Sequence, residues 1–256
     1  MNQIFDVGIA HQKIIRDKKS ITDKDNLFGC YWEKLDLSLK NAVIRPIDLH
    51  SASKMIIEYE WLGCMPAVNF YSFGIFFDGF CGGVVVYGQE YTENLGHWDK
   101  YDYTGKIILL SRGVCLHWTP INTGSKLIMA SMKMIPEKYK IVTCTTDHLA
   151  GEIGTIYQAC NFHYVGSMRE SNPNVKSRNM DREAYLINGK LYGSRAIRQK
   201  IGSQRMEDIL KRWPNAEKIP QNSKHRYFYF IGSDKEKKYY KSQIEHLIKP
   251  YPKRKI

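Results

Sequence analysis

The stretch that decides the fold is IILLSRGVCLHW (Ile107–Trp118), followed at once by TPINTGSK (Thr119–Lys126). The first run is apolar on both faces except at Ser111, Arg112 and His117, which predicts a long strand buried within a sheet. Beyond the turn, Ser125–Met134 is rich in Leu, Met and Ala and predicts a helix. A strand that passes through a Gly/Ser turn straight into a helix makes an anion site. The first helical N–H groups lack intrahelical acceptors, and the helix dipole adds partial positive charge. Asn122, Thr123, Gly124, Ser125 and Lys126 occupy that turn. Gly124 permits φ > 0 and close approach of a phosphate, while Lys126 supplies a point charge. The order is Gly-Ser-Lys with no second glycine five positions earlier, so this is not a nucleoside-triphosphate loop. Gly113 lies too far upstream for a dinucleotide fingerprint. A TGSK turn alone would serve equally as a plain helix cap; its place after the longest buried strand marks it as a ligand site.

Working outward, Ala42–Ile47 predicts a short strand. His50–Tyr59 predicts a helix, with Ile56, Ile57 and Tyr59 at helical spacing and Ser51 or Ser53 to cap it. Phe70–Phe77 and Phe80–Tyr87 read as two strands joined at Asp78–Gly79, a strong hairpin signal. Gly82 and Gly83 in the second predict a bulge or the close approach of another backbone. A polar insertion runs from Gly88 to Gly105. Downstream come a strand at Tyr139–Thr146, a helix at Gly151–Cys160 and a strand at His163–Ser167. The order β-α-β-β-β-α-β-α-β predicts a mixed α/β (α+β) fold, a central sheet flanked by helices with βαβ character only in its second half.

The charge of +12 is unevenly placed. Residues 1 to 164 hold 16 Lys+Arg against 17 Asp+Glu, a balance of −1; residues 165 to 256 hold 22 against 9, a balance of +13. This suggests three parts: a peripheral segment over 1–40, a neutral core over 41–168, and a basic α/β extension over 169–256. A basic excess confined to one end points to a polyanion partner, although a solvated charged face has the same composition. Aromatic residues such as Tyr192, Trp213, Tyr227 and Phe228 predict that the extension folds. Ser194–Lys200, a Gly202-Ser203 break and Gln204–Trp213 form a helix–turn–helix-like pair with a seam of Ile197, Ile201, Met206, Ile209 and Leu210. Arg195, Arg198, Lys200 and Arg205 fall outside that seam. With Lys224 and Arg226 of the following strand, KHRYFYF, they are candidates for contacts to a nucleic-acid backbone.

The six cysteines are scattered singly with no C-x-x-C pair, which favours a reducing compartment. No run approaches a membrane span, and the first residues offer no signal-peptide core; a cytoplasmic protein is expected. The eight histidines show no paired ligand spacing, so no metal ligands are assigned from spacing. His148 and Glu152 stand at i,i+4 but straddle a loop and a helix start, an accidental arrangement.

The strand order, the turn after the long strand and the segment GTIYQACNFHYVG (154–166) resemble the acetyl-CoA-dependent N-acyltransferase (GNAT) superfamily. More specifically, SRGVCLHW (111–118), GSK (124–126), TTD (145–147) and GEIGTIYQAC (151–160) are together similar to the Mom family of phage DNA-modification proteins, over about residues 42 to 200. The resemblance implies a transferase that places a methylcarbamoyl (acetamide-type) group on the exocyclic amine of adenine in double-stranded phage DNA, protecting it from host restriction. It implies acetyl-CoA as acyl donor, held by His117, Trp118, Asn122, Thr123, Gly124, Ser125 and Lys126, and a catalytic set of Arg112, Asp147 and Tyr157, with Tyr157 as general acid. Iron is implied by the resemblance alone. The family's His-Tyr-type pair at the end of the first helix is replaced here by Tyr59-Glu60-Trp61.

The residues bear on that chemistry directly. Arg112 in an apolar strand needs a partner, and Asp147 at a neighbouring strand end is the obvious one, whether to fix the sheet or to line a cleft. Adenine's amine is a weak nucleophile shielded in the stack, so positioning and base flipping are expected, with Tyr59, Trp61 or Trp118 stacking on the base and Glu60 at its edge. For each aromatic, core packing is the plain alternative; for Glu60 it is a solvated helix end. Two other readings stand beside this one: an ordinary GNAT enzyme acting on a protein or small amine, and a nucleic-acid-binding protein without catalysis.

Overall fold

The computed structural model describes residues 4–5, 7–22, 32–90, 96–167, 183–220 and 224–255. A two-residue strand Ile4–Phe5 (β1) and a helix His11–Thr22 (α1) precede the core. Strand Val43–Pro46 (β2) leads to helix Leu49–Tyr59 (α2), then strands Asn69–Phe77 (β3), Phe80–Gly88 (β4) and Ile107–Cys115 (β5). Helix Thr123–Ser131 (α3), strand Ile141–Thr146 (β6), helix Thr155–Ala159 (α4) and strand His163–Ser167 (β7) follow. Next come strands Glu183–Ile187 (β8) and Lys190–Gly193 (β9), helices Ser194–Ile201 (α5) and Met206–Arg212 (α6), and strand Glu217–Pro220 (β10). Strand His225–Phe230 (β11), helix Asp234–Gln243 (α7) and strand Lys253–Arg254 (β12) complete the order.

The central sheet runs β2-β3-β4-β5-β6-β11-β7, antiparallel throughout except for the parallel pair β5 and β6. The mixed α/β expectation holds, and the sheet's two faces carry separate cores by the two-residue period of its strands. Val84 and Val86 of β4 pack with Ala52 and Ile56 of α2. Val85 and Tyr87, pointing the other way, pack with Leu127 and Ile128 of α3. The β3–β4 turn is Asp78-Gly79 with φ of 47° and 85°, the doubly positive geometry that favours Gly and Asp there. The register breaks opposite Cys81–Gly83. A Cβ on Gly83 would lie 2.9 Å from the Val114 carbonyl, so this glycine admits β5, while one on Gly82 would meet Thr119 and Phe77.

Helix α2 is capped by Asp48, whose carboxylate accepts from the Ser51 N–H at 2.8 Å, rather than by Ser51 or Ser53. Strand β5 stops at Cys115, leaving His117 and Trp118 in the turn. The helix expected over 151–160 is only Thr155–Ala159.

The boundary expected near residue 168 does not divide the sheet. Strand β11, from the basic end, lies between β6 and β7. Its Arg226 is 1% exposed and pairs with Glu90 of the polar insertion at 3.2 Å, while donating to Thr143 Oγ1 at 3.0 Å. A phosphate contact from Arg226 is therefore ruled out by burial. Residues 183–220 make a three-stranded sheet, β10-β8-β9, closed by α5 and α6 over Tyr185, Ile187, Ile197, Ile209 and Ala216. Leu210, placed in the seam by periodicity, is 39% exposed.

Candidate active site

Strands β5 and β6 pair only from Ile107–Leu109 to Ile141–Thr143. Past Leu109, β5 stays with β4 while β6 stays with β11, so the two parallel strands part company. A cleft of about 590 Å³ opens between them. Its floor is the parted strands; its walls come from the end of α2, the N-terminus of α3, the start of α4 and, unexpectedly, α1.

One wall is the start of α3. Asn122, with φ of 71°, turns the chain into the helix, and Asn122, Thr123, Gly124 and Ser125 all line the cleft. A Cβ on Gly124 would lie 2.6 Å from Ile156 Cδ1, so the absent side chain keeps this mouth open. Arg16 of α1 donates to the carbonyls of His117 and Thr119 at 3.1 and 3.2 Å and also lines the cleft. The segment read as peripheral thus forms part of the site. Gln12 strengthens the attachment, donating to the Tyr59 carbonyl and accepting from the Trp61 N–H.

The opposite wall is acidic. Glu60, Asp147 and Glu152 line it together with Arg112, Lys224 and Arg254. Glu60 is 8% exposed; burial pushes its carboxyl upward, against the opposing pull of Arg112 and Lys224. Glu152 is pushed up to about 7 by burial, reinforced by the charges of Glu60 and Asp147. Arg254 ties this wall to the N-terminal segment by donating to the carbonyls of Gly8 and Gly151.

Arg112 does not pair with Asp147. Its Nε donates to the Cys64 carbonyl at 2.9 Å and its Nη1 to the Ser111 carbonyl at 2.6 Å, so it braces the chain after α2. The β5–β6 pairing ends at Leu109 and Thr143, before either residue, so no strand pairing brings Arg112 to Asp147.

Tyr157 stands on α4 with its ring against Phe162 and Tyr227. Burial, then the neighbouring Cys144 thiol and acidic groups, pushes its phenol well above the usual range, so it stays protonated at neutral pH. Thr146 is 2% exposed, lines the cleft, and its hydroxyl oxygen has no hydrogen bond among the described residues.

The cleft therefore gathers Arg112, Asp147, Tyr157, Asn122, Thr123, Gly124, Ser125, Glu60, Trp61 and Lys224. Several expected members stand elsewhere. Trp118 packs edge-on to Phe77, and His117 meets Trp32. Lys126 donates to the Leu39 carbonyl instead of facing the helix N-terminus. Tyr59 lies under Lys19, 4.6 Å from its ring. Trp61 reaches the cleft but is 4% exposed, edge-on to His11, too enclosed to be an open stacking platform. Glu60 is not the solvated helix end that sequence suggested. Arg198, Lys200 and Arg205 are exposed on the small subdomain; the Arg195 side chain lies outside the described residues. Glu152, Thr146, Arg16 and Arg254 were missed. Glu152 had carried one signal, a carboxylate between two glycines just after a strand end.

A family model described as the Mom protein family matches residues 41–253. The chain belongs to the Mom protein family. The matched residues include both parted strands and the subdomain carrying Arg198 and Arg205, while Arg16 and Arg254 of the cleft lie outside them. No curated protein matches it in sequence. Among solved structures it is similar to Arabidopsis thaliana NAA60 in complex with acetyl-CoA (12% identity, 75% of this chain and 99% of that one, TM-score 0.42). It is also similar to an IAA acetyltransferase from Bacillus cereus ATCC 14579 (12%, 74% and 99%, TM-score 0.40). A third likeness is a GNAT family acetyltransferase from Elizabethkingia anophelis with acetyl-CoA bound (10%, 75% and 99%, TM-score 0.39).

Iron does not fit this Mom-family site. Among the described residues no three His, Cys, Asp or Glu side chains stand together in an arrangement that could hold a metal ion, and the acidic wall is no exception. No helix among them is long and apolar enough to cross a membrane.

Proposed function

We propose that this protein places a methylcarbamoyl (acetamide-type) group on the exocyclic amine of adenine in double-stranded phage DNA, using an acyl-CoA for its acyl part, in the host cytoplasm, shielding that DNA from restriction. Membership of the Mom family supports the DNA-modifying role. The observation that carries the reading is the cleft at the parting of β5 and β6, where the start of α3 shares one space with a protonated tyrosine and buried carboxylates.

In this reading the N–H groups of Gly124 and Ser125, with Arg16 beside them, hold the phosphates of the donor. Thr146 supplies a hydroxyl to the group lying between the strands. The extruded adenine enters from the acidic side, where Asp147 meets its edge and Arg112 keeps the wall in place. Tyr157 gives its proton to the departing thiolate. Arg198, Lys200 and Arg205, with Lys224 at the cleft, grip the DNA backbone without reading bases.

Nucleoside mass spectrometry of DNA co-expressed with the protein tests this. A modified adenine is expected; unmodified adenine alongside well-folded protein overturns the reading. Acetyl-CoA binding without a DNA product would identify an enzyme acting on other amines instead.

A further inference from the structure

We propose that Lys190 and Lys200 together clamp one backbone phosphate of the DNA, on the side of the subdomain that faces the cleft. This rests on the DNA-modifying reading and gives Lys190 a role as a phosphate contact.

Both lysines are held by rigid elements. Asn188 and Gly189, with φ of 49° and 73°, make the two-residue turn between β8 and β9, and Lys190 is the first residue beyond it. It pairs across the hairpin with Ile187, which is buried in the subdomain core. Lys200 stands in the last turn of α5, whose Ile197 is buried in the same core. The two side chains converge on Tyr192. The Lys190 ammonium lies 5.2 Å from the centre of that ring and the Lys200 ammonium 5.8 Å. Tyr192 is itself stacked on Trp213, with 6.4 Å between ring centres and 18° between planes. The platform beneath the two charges therefore belongs to the packed body of the subdomain.

Each ammonium gains a modest attraction from the ring, but a shared ring does not cancel the repulsion between two cations. Among the described residues no carboxylate forms an ion pair with either lysine. By contrast Lys211 of α6 has Asp208 3.8 Å away. A phosphate supplies the missing charge, because its oxygens accept from both ammonium groups at once.

The pair also stands toward the cleft. Burial, then the charge of Lys200, holds the Lys190 ammonium below its usual proton affinity, while Glu60 and Cys64, just past α2, pull the other way. Lys18 of α1 adds to the lowering, and Lys190 in turn lowers His11 of α1. Lys190 is thus within electrostatic reach of α1 and of the end of α2, two elements that wall the cleft. A nucleotide swung out of the stack carries its own backbone toward the pocket that receives the base. A phosphate held by Lys190 and Lys200 is one beside that nucleotide.

The test titrates the full-length protein with a fluorescent duplex at several salt concentrations, and separately with acetyl-CoA. Two lysines on one phosphate predict losses that do not multiply. Lys190→Ala and Lys200→Ala should each weaken duplex binding by about 5-fold to 10-fold, and the double variant by no more than about 20-fold. The slope of log K against log salt should flatten by about 1 in the double variant, since one phosphate contact is lost. Acetyl-CoA affinity should be unchanged, and the melting temperature unchanged or raised, because a like-charge contact is relieved. Losses that multiply, with a slope change of about 2, show two separate phosphates and overturn the clamp. Unchanged duplex binding with a lower melting temperature overturns it too, since the lysines would then only pack on Tyr192. A loss confined to acetyl-CoA binding places the anion on the donor and also overturns it. Should Lys190→Ala fail to fold, the exposed Lys200→Ala decides alone: a loss under about threefold overturns the clamp. Duplex binding that needs both lysines, with no modified adenine in the product DNA, sustains the clamp and overturns the transferase reading.

Discussion

Arg226 and Glu90 form an ion pair at 3.2 Å with the two side chains 1% and 0% exposed. Glu90 also accepts from the Trp98 indole N–H at 2.5 Å, and the Arg226 guanidinium lies 5.0 Å from the Trp98 ring. The pair fastens the insertion after β4 to the strand that enters the sheet from the basic end. Removing one partner leaves the other buried and uncompensated. Arg226→Ala should therefore cost about 3–5 kcal/mol in a urea melt. A loss below about 1 kcal/mol would return Arg226 to the surface role its charge first suggested.

The exposed cations of the subdomain should behave in the opposite way. Replacing Arg198, Lys200 and Arg205 together by alanine should leave thermal stability unchanged and weaken binding to unrelated duplexes alike. The slope of log K against log salt should flatten by about 2 to 3, near one unit per lost phosphate contact. A change in sequence preference would show that these residues read bases.

Two glycines of the cleft should answer alanine differently. At Gly124 the new methyl meets the far end of Ile156, which is 40% exposed and free to turn away. Gly124→Ala should thus cost under about 1 kcal/mol of stability yet weaken acetyl-CoA binding, with Ile156→Ala partly restoring it. At Gly154, with φ of 74°, the methyl would meet the Tyr227 ring at 2.6 Å. There the left-handed backbone alone costs about 1–2 kcal/mol, and Gly154→Ala should lower the melting temperature visibly. Equal effects at both sites in calorimetry would contradict this distinction.

Tyr157→Phe retains the ring packed on Phe162 and Tyr227 and removes only the acid. Product formation should fall by about 100-fold with little change in stability. Because the phenol is held well above its usual range, the wild-type rate should show no alkaline fall from this group below about pH 10. An alkaline fall near pH 8 that vanishes in the variant would contradict the burial argument.

Glu152 should reveal its cost to the fold. Its folded proton affinity, about 7, lies above the ordinary value of 4.5, so the native state binds the proton more tightly than the unfolded chain. Stability from this group is complete below about pH 4.5 and is lost as pH rises through about 7. Glu152→Gln should accordingly stabilise the protein by about 1–3 kcal/mol at about pH 8, scaled from about 1.4 kcal/mol per pH unit, and hardly at all at about pH 5. Chemical denaturation at the two values checks it; equal effects at both would remove the raised affinity.

Much of this molecule was legible from residue order. The apolar runs FYSFGIFF and CGGVVVY, the Asp78-Gly79 turn and the strand–turn–helix order after Ile107 are local signals set by backbone preference and side-chain period; the two strands and their turn formed where the pattern placed them, while the strand from Ile107 stopped at Cys115 and the helix ran from Thr123 to Ser131. The turn Asn122–Ser125 came with them, because a helix start is local too. What tertiary structure alone decided was neighbourhood. Whether Lys126 faced a phosphate or the Leu39 carbonyl, and whether Arg226 met solvent or Glu90, depended on chain segments tens of residues away. The acidic corner had the same origin: Glu60, Asp147 and Glu152 come from different segments, and desolvation of the last together with the charges of the other two raises its proton affinity. Periodicity reports which face of an element is apolar. It is silent on which charges from other elements meet there, and in this protein that meeting sets the chemistry of the cleft.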